Sequence, residues 1–146
     1  MSWKPDITVA AIVEVEGRYL IVEERIGSQR VYNQPAGHVE AGEDFLAAVR
    51  RETLEESAWH FDPQWLVGIY RWQAPGSARS TLRFAYAGTV REHEPQRALD
   101  APVIAAHWLT RDQLAAGHLR LRTPLVLRCI DDYLAGVRLP LSAVNS

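Results

Sequence analysis

The sequence predicts an α/β domain. Three features lead there: β-branched runs recur along most of the chain, one segment among them has helical periodicity instead, and two capped helical stretches close the chain. With 146 residues, 47% of them hydrophobic, the chain can bury one substantial core without disulfides, so a single domain over residues 1–146 is expected.

ITVAAIVEV (7–15) and YLIVEER (19–25) are separated by Glu16-Gly17-Arg18, where glycine permits the positive φ of a tight turn, and they read as an antiparallel hairpin. A shorter strand over 31–34 runs into Pro35, and the acidic segment beyond it reads as a helix over 43–57. QWLVGIYRW (64–72) and TLRFAYAGTV (81–90) are longer strands, joined by the Pro/Gly/Ser loop APGSARS and expected to pair antiparallel. REHEPQRALDAP (91–102) is polar, proline-containing and aperiodic, a loop long enough to carry function, and VIAAHWL is the next strand. Thr110 then caps TRDQLAAG, which Gly117 stops; Thr123-Pro124 opens PLVLRCIDDYLAG, which Gly136 stops. No repeat, low-complexity tract or linker interrupts this order.

A net charge of -2 supplies no broad basic field, which argues against a nucleic-acid polymer or an anionic membrane as partner and for a small molecule. Cys129 is the only cysteine, so an internal disulfide and a thiolate-rich zinc site are excluded and a reducing cytoplasm is the expected compartment. The N-terminal MSWKPDITVAAIVEVEG has no basic leader or cleavage site, and no apolar run is long enough to span a bilayer. Of the 16 basic residues only Lys4 is lysine. Guanidinium suits bidentate recognition of phosphate or carboxylate, although the composition of the genome would produce the same bias.

The segment GHVEAGEDFLAAVRRETLEESAW concentrates carboxylates. At about 100° per residue, Glu52, Glu55 and Glu56 fall within an arc of about 100°. Phe45, Ala48 and Val49 occupy the same face one to two turns earlier, so this face points toward the protein. Like charges at i, i+3 and i, i+4 repel by about 0.2–0.5 kcal/mol each, and more in a cleft, unless a counter-ion is present. A hard divalent cation meets that need, and oxygen-only ligands select Mg²⁺ or Mn²⁺ over zinc. Arg51, four residues before Glu55, can hold that side chain while leaving Glu52 and Glu56 free.

Gly37, Glu43, Arg51, Glu52, Glu55 and Glu56 stand at the spacings of a Nudix box, and the segment resembles that family's signature. It departs at Thr53, less apolar than usual, and at Trp59, larger than the usual aliphatic residue. Ala58 replaces a terminal glycine whose positive φ would cost alanine about 1 kcal/mol or more. The resemblance implies the Nudix α/β/α sandwich, a mixed sheet with the box helix on one side and the C-terminal helices on the other. It also implies metal-dependent hydrolysis of a diphosphate linkage, with Glu52, Glu55 and Glu56 as ligands beside the backbone carbonyl of Ala36 and a catalytic set of Arg51, Glu55, Glu56 and Asp100. The general base is open among Glu55, Glu56, Glu92, Glu94 and Asp100; the preferred assignment makes Glu56 a ligand and lets Glu55 or Asp100 aid the water. His38 would touch phosphate or water, or serve the structure alone.

Beyond the box, TVAAIV, YLIVEE, NQPAGH, WQAP, LRF, TPLV and YLAGVRLPL resemble one phosphatase subgroup of the family over nearly the whole chain. This implies release of phosphate from nucleoside tri- and diphosphates and hydrolysis of hydroxymethylpyrimidine pyrophosphate. Gln34, Trp72 and Arg83 would then lie near substrate, Trp72 stacking on a ring and Arg83 engaging phosphate. Two other readings stay open: a pyrophosphatase for dinucleotides or nucleotide sugars, and a nucleotide sensor of the same fold without catalysis. Such sensors are expected to lose box glutamates, and here none is missing. A monomer or homodimer is expected.

Overall fold

The computed structural model describes residues 2–146. Its first sheet is mixed, in the order β5 (Ala36–His38), β1 (Asp6–Ile12), β7 (Ser80–Arg91), β6 (His60–Gln73). β1 runs parallel to β7 and antiparallel to β5, and β6 is antiparallel to β7. A second, antiparallel sheet is built on β3 (Arg18–Ile26), which pairs with β2 (Glu14–Val15), β4 (Gln29–Asn33) and β8 (Val103–Thr110). The helices are α1 (Phe45–Ser57), α2 (Arg111–Ala115) and α3 (Leu125–Leu134). Among the described residues no helix is long and apolar enough to cross a membrane.

Side chains alternate along a strand, so a central strand feeds two cores. Val9, Ala11 and Val13 join Leu66, Tyr86 and the α1 residues Ala48 and Val49 in one cluster. Ile12, Val67, Ala85 and Ala87 join Val126, Cys129 and Ile130 of α3 in the other. This is the expected layering of helices on both sides, with the correction that the strands divide between two sheets.

The expected hairpin needs the same correction. Residues 6–12 pair in the first sheet, and only the stretch from Val13 turns to β3, through the Leu20 N–H to Val13 O bond at 3.0 Å and the pairing of Glu14 and Val15. Both sides of β1 are already taken, by β5 and β7, so β3 can pair only with what lies past it. The tight turn itself forms as expected, with Gly17 at φ 78° and Glu16 at φ 50°.

α1 starts at Phe45, later than the periodicity suggests, because Asp44 is its N-cap and accepts a hydrogen bond from the Ala47 N–H at 2.7 Å. Glu43 is thereby left outside the helix. Thr53, at a normally apolar position, is fully buried and donates its hydroxyl to the Val49 carbonyl at 2.7 Å. At the other end Ala58 takes the left-handed conformation (φ 63°, ψ 16°), and its N–H donates to the Leu54 carbonyl at 2.9 Å. The loop over 92–102 meets two further carbonyls: the Asp100 N–H donates to Glu55 O at 2.9 Å and the Glu94 N–H to Ala58 O at 2.8 Å. That strap fixes Asp100 beside the end of the acidic face. Thr110 caps α2 in a capping box with Gln113, and Gly117 and Gly136 follow α2 and α3 at positive φ, as expected.

The left-handed Ala58 sets two effects against each other. Glycine would relieve about 1–2 kcal/mol of backbone strain. It would also lose the methyl of a buried residue, Ala58 being 3% exposed, worth about 0.8 kcal/mol, and add about 0.5–1 kcal/mol of unfolded-state entropy. Ala58→Gly should therefore change the unfolding free energy by less than about 1 kcal/mol in urea denaturation, and a gain of about 2 kcal/mol or more would contradict this balance.

Candidate active site

One cleft of about 660 Å³ gathers residues remote in sequence: Ala36, Gly37 and His38 from β5, Arg51, Glu52, Glu55 and Glu56 from α1, Trp72 from β6, Arg83 from β7, and Asp100 from the long loop. The expected site residues therefore meet, with Gln34 as the exception and Glu43 in a supporting place behind the wall.

Arg51 organises the acidic wall. Its Nε and one Nη donate to the two oxygens of Glu43 at 2.7 and 2.9 Å, a bidentate pair. The other Nη donates to Glu52 at 2.9 Å and to Glu55 at 3.2 Å, and the remaining N–H reaches the His38 carbonyl at 3.1 Å. The expectation that Arg51 would hold Glu55 and leave Glu52 free is thus corrected. Both are held, because the guanidinium lies between them and presents donors along two edges. Arg51 keeps the Glu43 carboxyl below the ordinary carboxylate range.

Glu56 is only 9% exposed, and its Oε1 accepts from the Ala36 N–H at 2.8 Å. Burial pushes its carboxyl up to about 8 against that hydrogen bond, with the charges of Glu24 and Glu52 adding to the rise. Burial also raises Glu52 and Glu55, and the Asp100 carboxylate pushes in the same direction on both. A Cβ on Gly37 would overlap the Glu52 carboxyl group, so the absence of a side chain there is what lets Glu52 lie against β5.

This donor set fits a hard divalent cation. Among the described residues no three acidic, imidazole or thiol groups surround one point, since Arg51 draws Glu52 and Glu55 toward itself. Yet Glu52 and Glu55 each give only one oxygen to Arg51, and Glu56 gives one to Ala36. Acids raised by burial and by one another ionise together only beside added positive charge.

Arg83 stands on another wall and is 4% exposed. Its two Nη atoms donate to Gln34 Oε1 and Asn33 Oδ1, both at 2.9 Å, and both partners are neutral amides. Gln34 in turn donates to the Val126 carbonyl at 2.8 Å. Gln34, expected near substrate, lies behind Arg83 instead, because its side chain is consumed by these two contacts. Trp72 lines the cleft and is partly packed on the α3-side core. His38 is exposed at the rim, 3.9 Å from Asp6.

Of the candidate bases, Glu92 pairs with Arg91, and Glu94 pairs with His60 and Arg97; neither lines the cleft. Asp100 does. Sequence reasoning missed Glu24, Asn33 and Arg122. Glu24 is 6% exposed and accepts from Arg122 at 2.8 Å. The signal was the pair of acids ending the apolar run of YLIVEER, on a strand that buries both faces. Arg122 is brought in by its backbone, whose N–H donates to the Tyr32 carbonyl at 2.9 Å.

Residues 4–128 match the family model of the NUDIX domain, and with this cleft and fold the chain belongs to the Nudix hydrolases. Among relatives, Phosphatase NudJ of Escherichia coli (strain K12) is 35% identical over 143 residues, 98% of this chain and 92% of that protein. A NUDIX hydrolase from Nitrosomonas europaea has a solved structure that superposes with a TM-score of 0.94 at 43% identity, covering 98% of this chain and 97% of that one. The crystal structure of a UDP-X diphosphatase shares the fold, with a TM-score of 0.75 at 16% identity over 96% of this chain and 68% of that one.

The overlap of Gly37 with Glu52 gives a direct test. Gly37→Ala should leave the melting temperature within about 3 °C, because the displaced group is the end of a flexible side chain. It should weaken Mn²⁺ binding, followed by titration calorimetry, about 10- to 100-fold.

Proposed function

We propose that the chain is a divalent-metal-dependent phosphohydrolase that cleaves phosphoanhydride bonds in nucleoside tri- or diphosphates or in pyrimidine pyrophosphates such as hydroxymethylpyrimidine pyrophosphate. One observation carries this reading: two opposite charge deficits share a cleft. The α1 wall has more carboxylates than Arg51 can neutralise, and the β7 wall has a buried guanidinium whose hydrogen-bond acceptors are neutral. A metal-bound diphosphate satisfies both. The name of the NudJ phosphatase relative supports the phosphate-releasing version.

On this reading Glu52, Glu55, Glu56 and the Ala36 carbonyl hold Mg²⁺, with Mn²⁺ as the substitute. When bound, the cation supplies charge neutralisation for phosphate oxygens and acidifies water. Arg83 binds a phosphate oxygen at a fixed position, and Trp72 offers a flat face to the ring beyond the phosphates. Asp100 or Glu55 accepts the proton from the attacking water, and Arg51 keeps Glu55 oriented for either duty. His38 touches outer phosphate or water from the rim. The enzyme works in the cytoplasm as a monomer or homodimer, on small substrates and not on nucleic-acid polymers or membranes.

A panel of nucleotides and pyrimidine pyrophosphates with Mg²⁺ tests this. Wild type should release orthophosphate, and Glu56→Gln should lose at least about 10²-fold in kcat. Release of nucleoside monophosphate from dinucleotides or nucleotide sugars would favour the pyrophosphatase reading instead. Nucleotide binding with no more product from wild type than from Glu56→Gln would make the chain a sensor.

A further inference from the structure

Arginine is rarely buried without a carboxylate, because taking its charge out of water is costly unless a counter-charge compensates. Arg83 is buried without one: its two Nη atoms donate to the amide oxygens of Gln34 and Asn33, and the uncharged thiol of Cys129 lies beside it. Glu24, the carboxylate contributed to the cleft by the neighbouring sheet, is engaged by Arg122 at 2.8 Å. The amides are themselves fixed. Asn33 is the last residue of β4 and pairs with Val22 of β3, and Gln34 is tied to the Val126 carbonyl at the start of α3.

We propose that Asn33 and Gln34 are positioning residues that aim Arg83 into the cleft while leaving its positive charge uncompensated, so that the phosphate of the substrate becomes its counter-ion. The proposal deepens the phosphohydrolase reading and rests on it. An amide oxygen accepts from a guanidinium in the same geometry as a carboxylate oxygen, more weakly and without adding negative charge. Aspartate at position 33 has the same shape and would keep the bond at 2.9 Å. It would also supply the missing counter-charge, and in a buried site such a pair is strong enough to displace an incoming anion. The choice of amide over acid at Asn33 and Gln34 thus sets whether the cleft attracts phosphate.

The test uses the full chain as wild type, Asn33→Asp and Gln34→Met. Inorganic phosphate serves as the binding probe in thermal unfolding, and phosphate release with Mg²⁺ gives KM and kcat separately. Phosphate should raise the melting temperature of wild type. Asn33→Asp should melt at or above the wild-type temperature without phosphate, yet lose the phosphate-dependent rise. Its KM should increase about tenfold or more with a smaller change in kcat. Gln34→Met, which removes the acceptor for Arg83 and the donor to the Val126 carbonyl without adding charge, should also raise KM and lower the melting temperature. Wild-type KM and a wild-type phosphate response in Asn33→Asp would overturn the proposal; should that variant not fold, the same result in Gln34→Met would do so. If even wild type releases no phosphate, the enzymatic reading fails. Loss of the phosphate response in Asn33→Asp would still uphold the role of the amides.

Discussion

The N–H groups of Arg51 are all engaged on the acidic wall, by both oxygens of Glu43, by Glu52, by Glu55 and by the His38 carbonyl. This one guanidinium fixes the loop that enters α1, the strand β5 beside it and two carboxylates on the helix face. It is one guanidinium among four carboxylates, Glu40, Glu43, Glu52 and Glu55, and Glu56 and Asp100 stand close by without a share of it. The site is therefore ordered by Arg51 but not neutralised by it. What remains is a wall with fixed geometry and more carboxylates than one guanidinium can neutralise, the condition under which a hard cation binds.

The fold supplies that condition through backbone pairing. β1 holds β5 antiparallel through Thr8, Val9 and Ala10, which brings Ala36 and Gly37 under α1. There the Ala36 N–H meets Glu56, and the bare Cα of Gly37 makes room for Glu52. The parallel pairing of β1 with β7 sets Thr8 opposite Arg83, so both charge deficits are carried on neighbours of one strand. At the far end of α1 the long loop takes the unpaired helix carbonyls and in doing so delivers Asp100. A short internal strand thus positions the acidic wall and the Arg83 wall together.

The box was legible in the sequence because its logic is local: residues three and four apart on a helix are neighbours whatever the rest of the chain does. The long strands β6 and β7 and the caps of α2 and α3 were legible for the same reason. The break at Val13 was not, since it follows from β5 and β7 occupying both sides of β1, partners far along the chain. Among the acids of the 91–102 loop, composition does not separate Glu92 and Glu94 from Asp100; the hydrogen bond from the Asp100 N–H to Glu55 O does. Gln34 lies in the neighbourhood its sequence position suggests but one layer behind the cleft wall, held there by a contact with Val126 that spans 92 residues. The Glu24–Arg122 pair, 98 residues apart, lay equally out of reach of local patterns.

The excess of carboxylates beside Arg51 is the feature on which the rest depends. Calorimetric titration of the wild-type protein with Mn²⁺ at neutral pH, repeated on a variant carrying Glu52→Gln and Glu56→Gln together, measures it most directly. The account predicts saturable binding at millimolar concentrations or below in wild type and none in the double variant. Absence of saturable binding in wild type, or equal binding in both proteins, would contradict it.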